Sequence, residues 1–137
     1  MKKIQFSNFL PLLMIAMMFF AACSGSPGSK ILGSWSVEDV QADVDTSQIK
    51  PEVLERALDV YRSVSFEFKE GDSMNIVSDE TTHSGEWNYN EEEKAVYIKM
   101  DGSRAPDLMK FADYVDGKLI NTNNTQIGTI VVTYIKD

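Results

Sequence analysis

Few side chains in this 137-residue sequence are equipped for chemistry, and their numbers restrict it further. Cys23 is the only cysteine and His83 the only histidine. A single thiol allows no intrachain disulfide, so packing alone must hold the fold. Zinc takes several nitrogen or sulfur ligands, more than one His and one Cys supply. Glu91-Glu92-Glu93 puts three carboxylates together but lacks the alternate-position acids of a calcium loop, and reads as a solvated hairpin tip. A nucleophile needs a neighbouring base held by a third group. The chain has neither a Gly-x-Ser-x-Gly elbow nor a phosphate-binding glycine loop. Its 21 acids permit many carboxylate pairs of the kind that hydrolyse glycosides, and nothing singles one out. The expectation is a non-enzyme with no catalytic residue, metal or cofactor.

Position says more about Cys23 than chemistry does. Lys2 and Lys3 form a basic start, and the uncharged run from Phe9 to Ala22 follows. Fourteen residues make about 21 Å of helix, short of the ~30 Å hydrocarbon core, so the run suits a signal peptide over 1–22 better than a membrane span. Ala21-Ala22-Cys23 resembles a lipobox, in which the cysteine is lipidated on sulfur and becomes the mature N-terminus; Phe20 stands where that pattern prefers Leu. Ser24-Gly25-Ser26-Pro27-Gly28-Ser29 then has the composition of a flexible linker, which assigns 23–30 to lipidated Cys and tether. Ser24, rather than Asp, resembles the sorting pattern for the outer membrane. Without an acidic run in the linker, a periplasm-facing anchor is favoured over surface display.

Loss of residues 1–22 removes two of 13 basic side chains and none of 21 acids, leaving 11 against 21 and a net charge of −10. That field repels phosphates, and no basic patch offsets it, so nucleic acid is excluded as a partner.

The remaining segment, 31–137, must position whatever site exists. Ile31 to Val44 begins as a strand, with Trp35 and Val37 on one face. Thr46 and Ser47 are placed to cap a turn, and Pro51 suits the first turn of a helix. Val53, Leu54, Ala57, Leu58 and Tyr61 make one apolar stripe, with Glu52 and Arg56 spaced as an i,i+4 pair. From Ser63 the period falls to two. Val64, Phe66 and Phe68 alternate with polar residues, as do His83, Gly85, Trp87 and Tyr89, and then Val96, Ile98 and Met100. Asp101 to Pro106 is a longer loop, and a strand from about Leu108 to Val115 follows. Asp116-Gly117 is the strongest hairpin signal. Lys118 to Thr122, a polar Asn123-Asn124-Thr125 turn, and a β-branched strand from Ile127 to Ile135 complete the chain.

This gives a mainly β domain of eight antiparallel strands with one helix between strands 1 and 2. Closure into an up-and-down barrel, the last strand beside the first, removes the unpaired edges; regular sequential turns favour it over a two-sheet sandwich. The helix is placed to cover one open end.

Gly33-x-Trp35, Gly85-x-Trp87 with Tyr89, and Thr129-x-Val131-x-Thr133-Tyr134 together resemble the lipocalin-like domains of small bacterial lipoproteins. The resemblance covers 31–137. It implies that Trp35 packs across the closed end of the barrel, and that a small apolar or amphipathic ligand binds at the mouth. The domain departs from a full lipocalin in its short length, its missing cysteine pair and the absence of a helix after the last strand. Candidate ligand contacts are Trp35, Phe66, Phe68, His83, Trp87 and Tyr89 from the strands, with Leu54, Leu58 and Tyr61 from the helix. Bulky rings are the main way to fill a small β-core, so core is the favoured role of these aromatics, and a solvated or hydrogen-bonded structural role that of His83. A filled barrel would instead be an interaction module, engaging another envelope protein through its acidic face or the 101–107 loop.

Overall fold

The computed structural model describes residues 26–137. The expected signal segment 1–22 and Cys23 lie outside the described residues. Eight strands form one closed barrel in sequence order: β1 (Gly33–Val44), β2 (Ser65–Phe68), β3 (Ser73–Val77), β4 (Thr82–Asn90), β5 (Ala95–Met100), β6 (Met109–Val115), β7 (Lys118–Thr125) and β8 (Gly128–Lys136). Every neighbouring pair is antiparallel, and β8 returns to β1 over nine residue pairs. The single helix α1 (Pro51–Arg62) joins β1 to β2. The eight-stranded up-and-down barrel with one inserted helix is therefore the observed architecture.

Turn chemistry explains the connections. Asp116 (φ 51°) and Gly117 (φ 79°) both take positive φ, the requirement of a type I′ hairpin between β6 and β7. The glycines of the two tryptophan motifs answer different needs. Gly33 sits at φ 118°, open only to a residue without Cβ. Gly85 lies so near β5 that a Cβ would come 2.5 Å from the Lys99 carbonyl oxygen.

Three local expectations are amended. Part of the segment read as tether is folded: Pro27–Lys30 is a 3-10 turn, and Ile31 behind it is fully buried. Asn123 to Thr125 is not a turn but the upper part of β7, paired with Ile130, Thr129 and Gly128 of β8. Thr46 and Ser47 lie in a turn, as expected, and the N-cap of α1, Lys50, makes no side-chain bond. Asp45 organises that turn, accepting from the Ser47 hydroxyl (2.6 Å), the Ser47 backbone N–H (3.0 Å) and Gln48 Nε2 (3.1 Å). The Ser47 hydroxyl, foremost, holds its carboxyl below the ordinary range. On α1, Arg62 pairs with Asp59 (2.8 Å) and Glu55 (3.5 Å); among the described residues Glu52 and Arg56 form no ion pair.

The ladders are uneven. β7–β8 and β8–β1 run for seven and nine pairs, making a tall wall. The β1–β2 and β6–β7 ladders stop after three. Above Trp35–Phe66 the first seam is unpaired, and α1 lies against β1 on that side with Leu58 buried. Above Asp113–Ile120 the second seam opens, following a bulge in the β5–β6 ladder at Val96/Tyr97.

Candidate functional site

The barrel has two unlike ends. At the end where β1 begins and β8 finishes, both tryptophans are fastened to the backbone. Trp35 is fully buried, and its indole Nε1 donates to the Ile31 carbonyl at 2.7 Å. Trp87 Nε1 donates to the Lys69 carbonyl at 2.9 Å, with its ring 5.3 Å from that of Phe68. The 3-10 turn seals this end. Lys30 holds its ammonium 4.8 Å from the Tyr89 ring and 5.0 Å from Tyr114, while Lys136 Nζ donates to the Lys30 carbonyl at 3.0 Å. Such cation–π contacts add about 0.5–1 kcal/mol each at exposed sites. The Tyr89 hydroxyl is buried, and no protein group hydrogen-bonds to it among the described residues.

Above the sealed end an aromatic layer fills the lumen. Phe66 lies 4.5 Å from Phe111 and 5.2 Å from Tyr134, ring to ring. Burial pushes the Tyr134 hydroxyl well above the ordinary phenol range. Phe111 reaches this position because it is the extra residue at the β5–β6 bulge.

Beyond that layer the barrel opens. A cavity of about 250 Å³ lies between the ends of β5 and β6 and the 101–108 loop, with a mostly apolar lining that includes Ile98, Met100, Met109, Phe111 and Asn121. A shallower recess of about 410 Å³ shares Met100 with it and runs over Ile76 and His83 at the rim. A larger hollow, about 480 Å³, is elsewhere: an open groove outside the sealed end, between the 3-10 turn and the turn at Glu70–Asp72. Its lining is half polar and it is open to solvent, so it offers an apolar ligand little burial. The mouth is the better site despite its smaller volume, because its apolar walls continue the core.

The structure distributes the expected contacts over four places. Trp35, Phe68 and Trp87 belong to the sealed end, where Trp87 and Tyr89 line its outer groove. Phe66 forms part of the aromatic floor. His83 pairs with Ile76 and is exposed at the rim. On α1, Leu58 is buried, and Leu54 and Tyr61 pack partly buried against the core. Sequence reasoning passed over Asn121 and Asn123. By register they stand opposite Val132 and Ile130, both buried, so they face inward on the upper half of β7. Asn121 Nδ2 donates to the Phe111 carbonyl, replacing a bond that the open seam lacks, and Asn123 Nδ2 donates to Asn121 Oδ1. The available signal was the continuation of period two from Leu119 through Asn121 and Asn123.

Among the described residues no group of three or more His, Cys, Asp or Glu is placed to hold a metal ion. No helix among them is long and apolar enough to cross a membrane. Neither a protein-family model nor a curated protein matches the sequence. Among solved structures the chain is similar to the crystal structure of a DUF4847 family protein from Bacteroides vulgatus, with a TM-score of 0.51 at 13% identity. The match covers 82% of this chain and 98% of the other, and it is a likeness of fold.

Proposed function

We propose that this protein is a lipid-anchored, periplasm-facing, lipocalin-like binding protein of the outer membrane, taking a small apolar or amphipathic ligand at the barrel mouth. The observation that carries the reading is the contrast along the barrel axis. One end is stapled shut by two indoles, and the other keeps an apolar cavity over an aromatic floor. The anchor fits this polarity. Four chain steps from Cys23 to Pro27 of the 3-10 turn span at most about 14 Å. A lipidated Cys23 therefore sets the sealed end towards the bilayer and the mouth towards the aqueous space.

Native mass spectrometry of the protein purified from its own envelope without added detergent tests the binding reading. A reproducible extra mass, lost on organic extraction, is expected. A bare protein mass, together with no displacement of a fluorescent apolar probe, would transfer support to a ligand-free interaction module. That second reading has its own observation: α1 leaves Val53 50% and Val60 65% exposed, on the flank of the stripe that buries Leu58.

A further inference from the structure

We infer that the mouth takes an amphiphile with a short alkyl chain and a single anionic head group, and that Lys99 is the cation that selects it. This rests on the mouth-binding reading and specifies the charge of its ligand.

The apolar part of the site comes from Ile98, Met100 and Phe111, and Lys99 lines the same cavity. At about 250 Å³ the space falls below the ~300–1,000 Å³ usual for drug-sized ligands, so it suits a short chain. The β5–β6 ladder ends at Ile98–Met109, and beyond it the 101–108 loop replaces a paired strand. The cavity there is bounded by both faces of β5, which sets the charge of Lys99 at the outer lip and the apolar side chains within. Lys99 Nζ donates to the Pro106 carbonyl at 3.3 Å. An ammonium has three N–H donors, so one bond to a neutral acceptor leaves two donors and the charge unmatched. Among the described residues no carboxylate pairs with Lys99.

The other charges around the cavity do not cancel this one. Lys110 also lines it but pairs with Asp113 at 2.7 Å, so that couple is neutral. Asp107 is the one acid in the lining, and it is exposed, whereas Lys99 is half-buried. Water screens the exposed carboxylate, while a ligand closing over the cavity strips water from the ammonium. A neutral head group would leave that cation facing only a carbonyl oxygen; an anionic one supplies the missing counter-charge. Asn121 adds to the preference. It lines the cavity and keeps one amide N–H unpartnered among the described residues, a donor that an anion accepts and an ammonium cannot. The net negative charge of the chain repels anions at long range, but screening over ~8 Å at physiological salt leaves the nearest groups to decide.

The test measures binding of octanoate, octanamide and octylammonium to the full-length protein in phosphatidylcholine nanodiscs by ligand-observed NMR, with empty discs as the blank. Octanoate is expected to bind the unaltered protein about fivefold more tightly than octanamide, the order of one part-buried ion pair, and octylammonium most weakly. Lys99→Gln should abolish the preference and Lys99→Arg should keep it, with circular dichroism melting curves confirming that both variants fold. If octanamide binds the unaltered protein as well as octanoate, or if Lys99→Gln keeps the preference, the head-group assignment is overturned while the mouth reading stands. Tighter binding of octylammonium overturns it in favour of Asp107. If none of the three binds, the mouth reading itself falls.

Discussion

The sealed end and the mouth are built from the same strands and differ in how their polar groups are satisfied. At the sealed end, Trp35 and Trp87 each combine a buried ring with an indole N–H fixed to a carbonyl. At the mouth, two half-buried amides bond to each other and to one carbonyl of a parted seam, leaving donors and an acceptor over. Rigidity and reserve hydrogen-bonding capacity thus lie at opposite ends of one barrel. Apolar packing is satisfied by the chain itself at one end and lies beside unspent polar groups at the other.

The largest test of that contrast substitutes each end in turn. Trp35→Ala removes a fully buried ring and leaves the Ile31 carbonyl without its donor; a loss of about 3–5 kcal/mol is expected in chemical denaturation. Met100→Ala at the half-buried mouth should cost less than about 1 kcal/mol and instead weaken binding of an apolar probe. Equal destabilisation by the two would erase the distinction between the ends. A smaller effect of opposite sign is expected from Tyr89→Phe. Its hydroxyl is buried without a protein partner, so removal should stabilise the fold by about 1 kcal/mol. A destabilised variant would show that this oxygen is bonded in solution.

The smallest effect is a pH dependence at the boundary between the two halves. Burial raises the folded-state pKa of Tyr134 above that of the unfolded chain. The neutral phenol's contribution is then complete below the unfolded value near 10 and is lost as pH rises from there towards the folded value. Denaturation midpoints between pH 8 and 11 should fall for the unaltered protein and stay flatter for Tyr134→Phe. Parallel slopes would remove Tyr134 from the alkaline response.

The topology was legible because each hairpin declares itself locally. Phe66–Phe68, Gly85–Tyr89 and Val96–Met100 alternate with period two, and Asp116-Gly117 fixes a turn by its backbone preference alone. Closure followed from the cost of unpaired edges. The upper half of β7 escaped because its inward residues are polar. Binary patterning assumes that the core face is apolar, and Asn123-Asn124-Thr125 satisfies the composition rule for a turn while forming a strand. The β5–β6 bulge was hidden for a related reason. Period two continues on both sides of it, and only the register reveals that Phe111 is displaced inward. The mouth is therefore the part of the molecule where local rules break down, as expected where a sequence serves more than its own folding.

The pairing of β1 with β8 also governs how the chain reaches this state. Lys30 and Lys136 meet across 106 residues, and Ser36 meets Asp137 across 101. Joining ends so far apart carries an entropic cost of roughly 4 kcal/mol from loop length alone, before any contact compensates it. During synthesis, β1 has only the short β2 as a partner until the last nine-residue strand emerges. Barrel closure is thus a late step in folding, and until then a 12-residue strand keeps most of one edge bare to other chains.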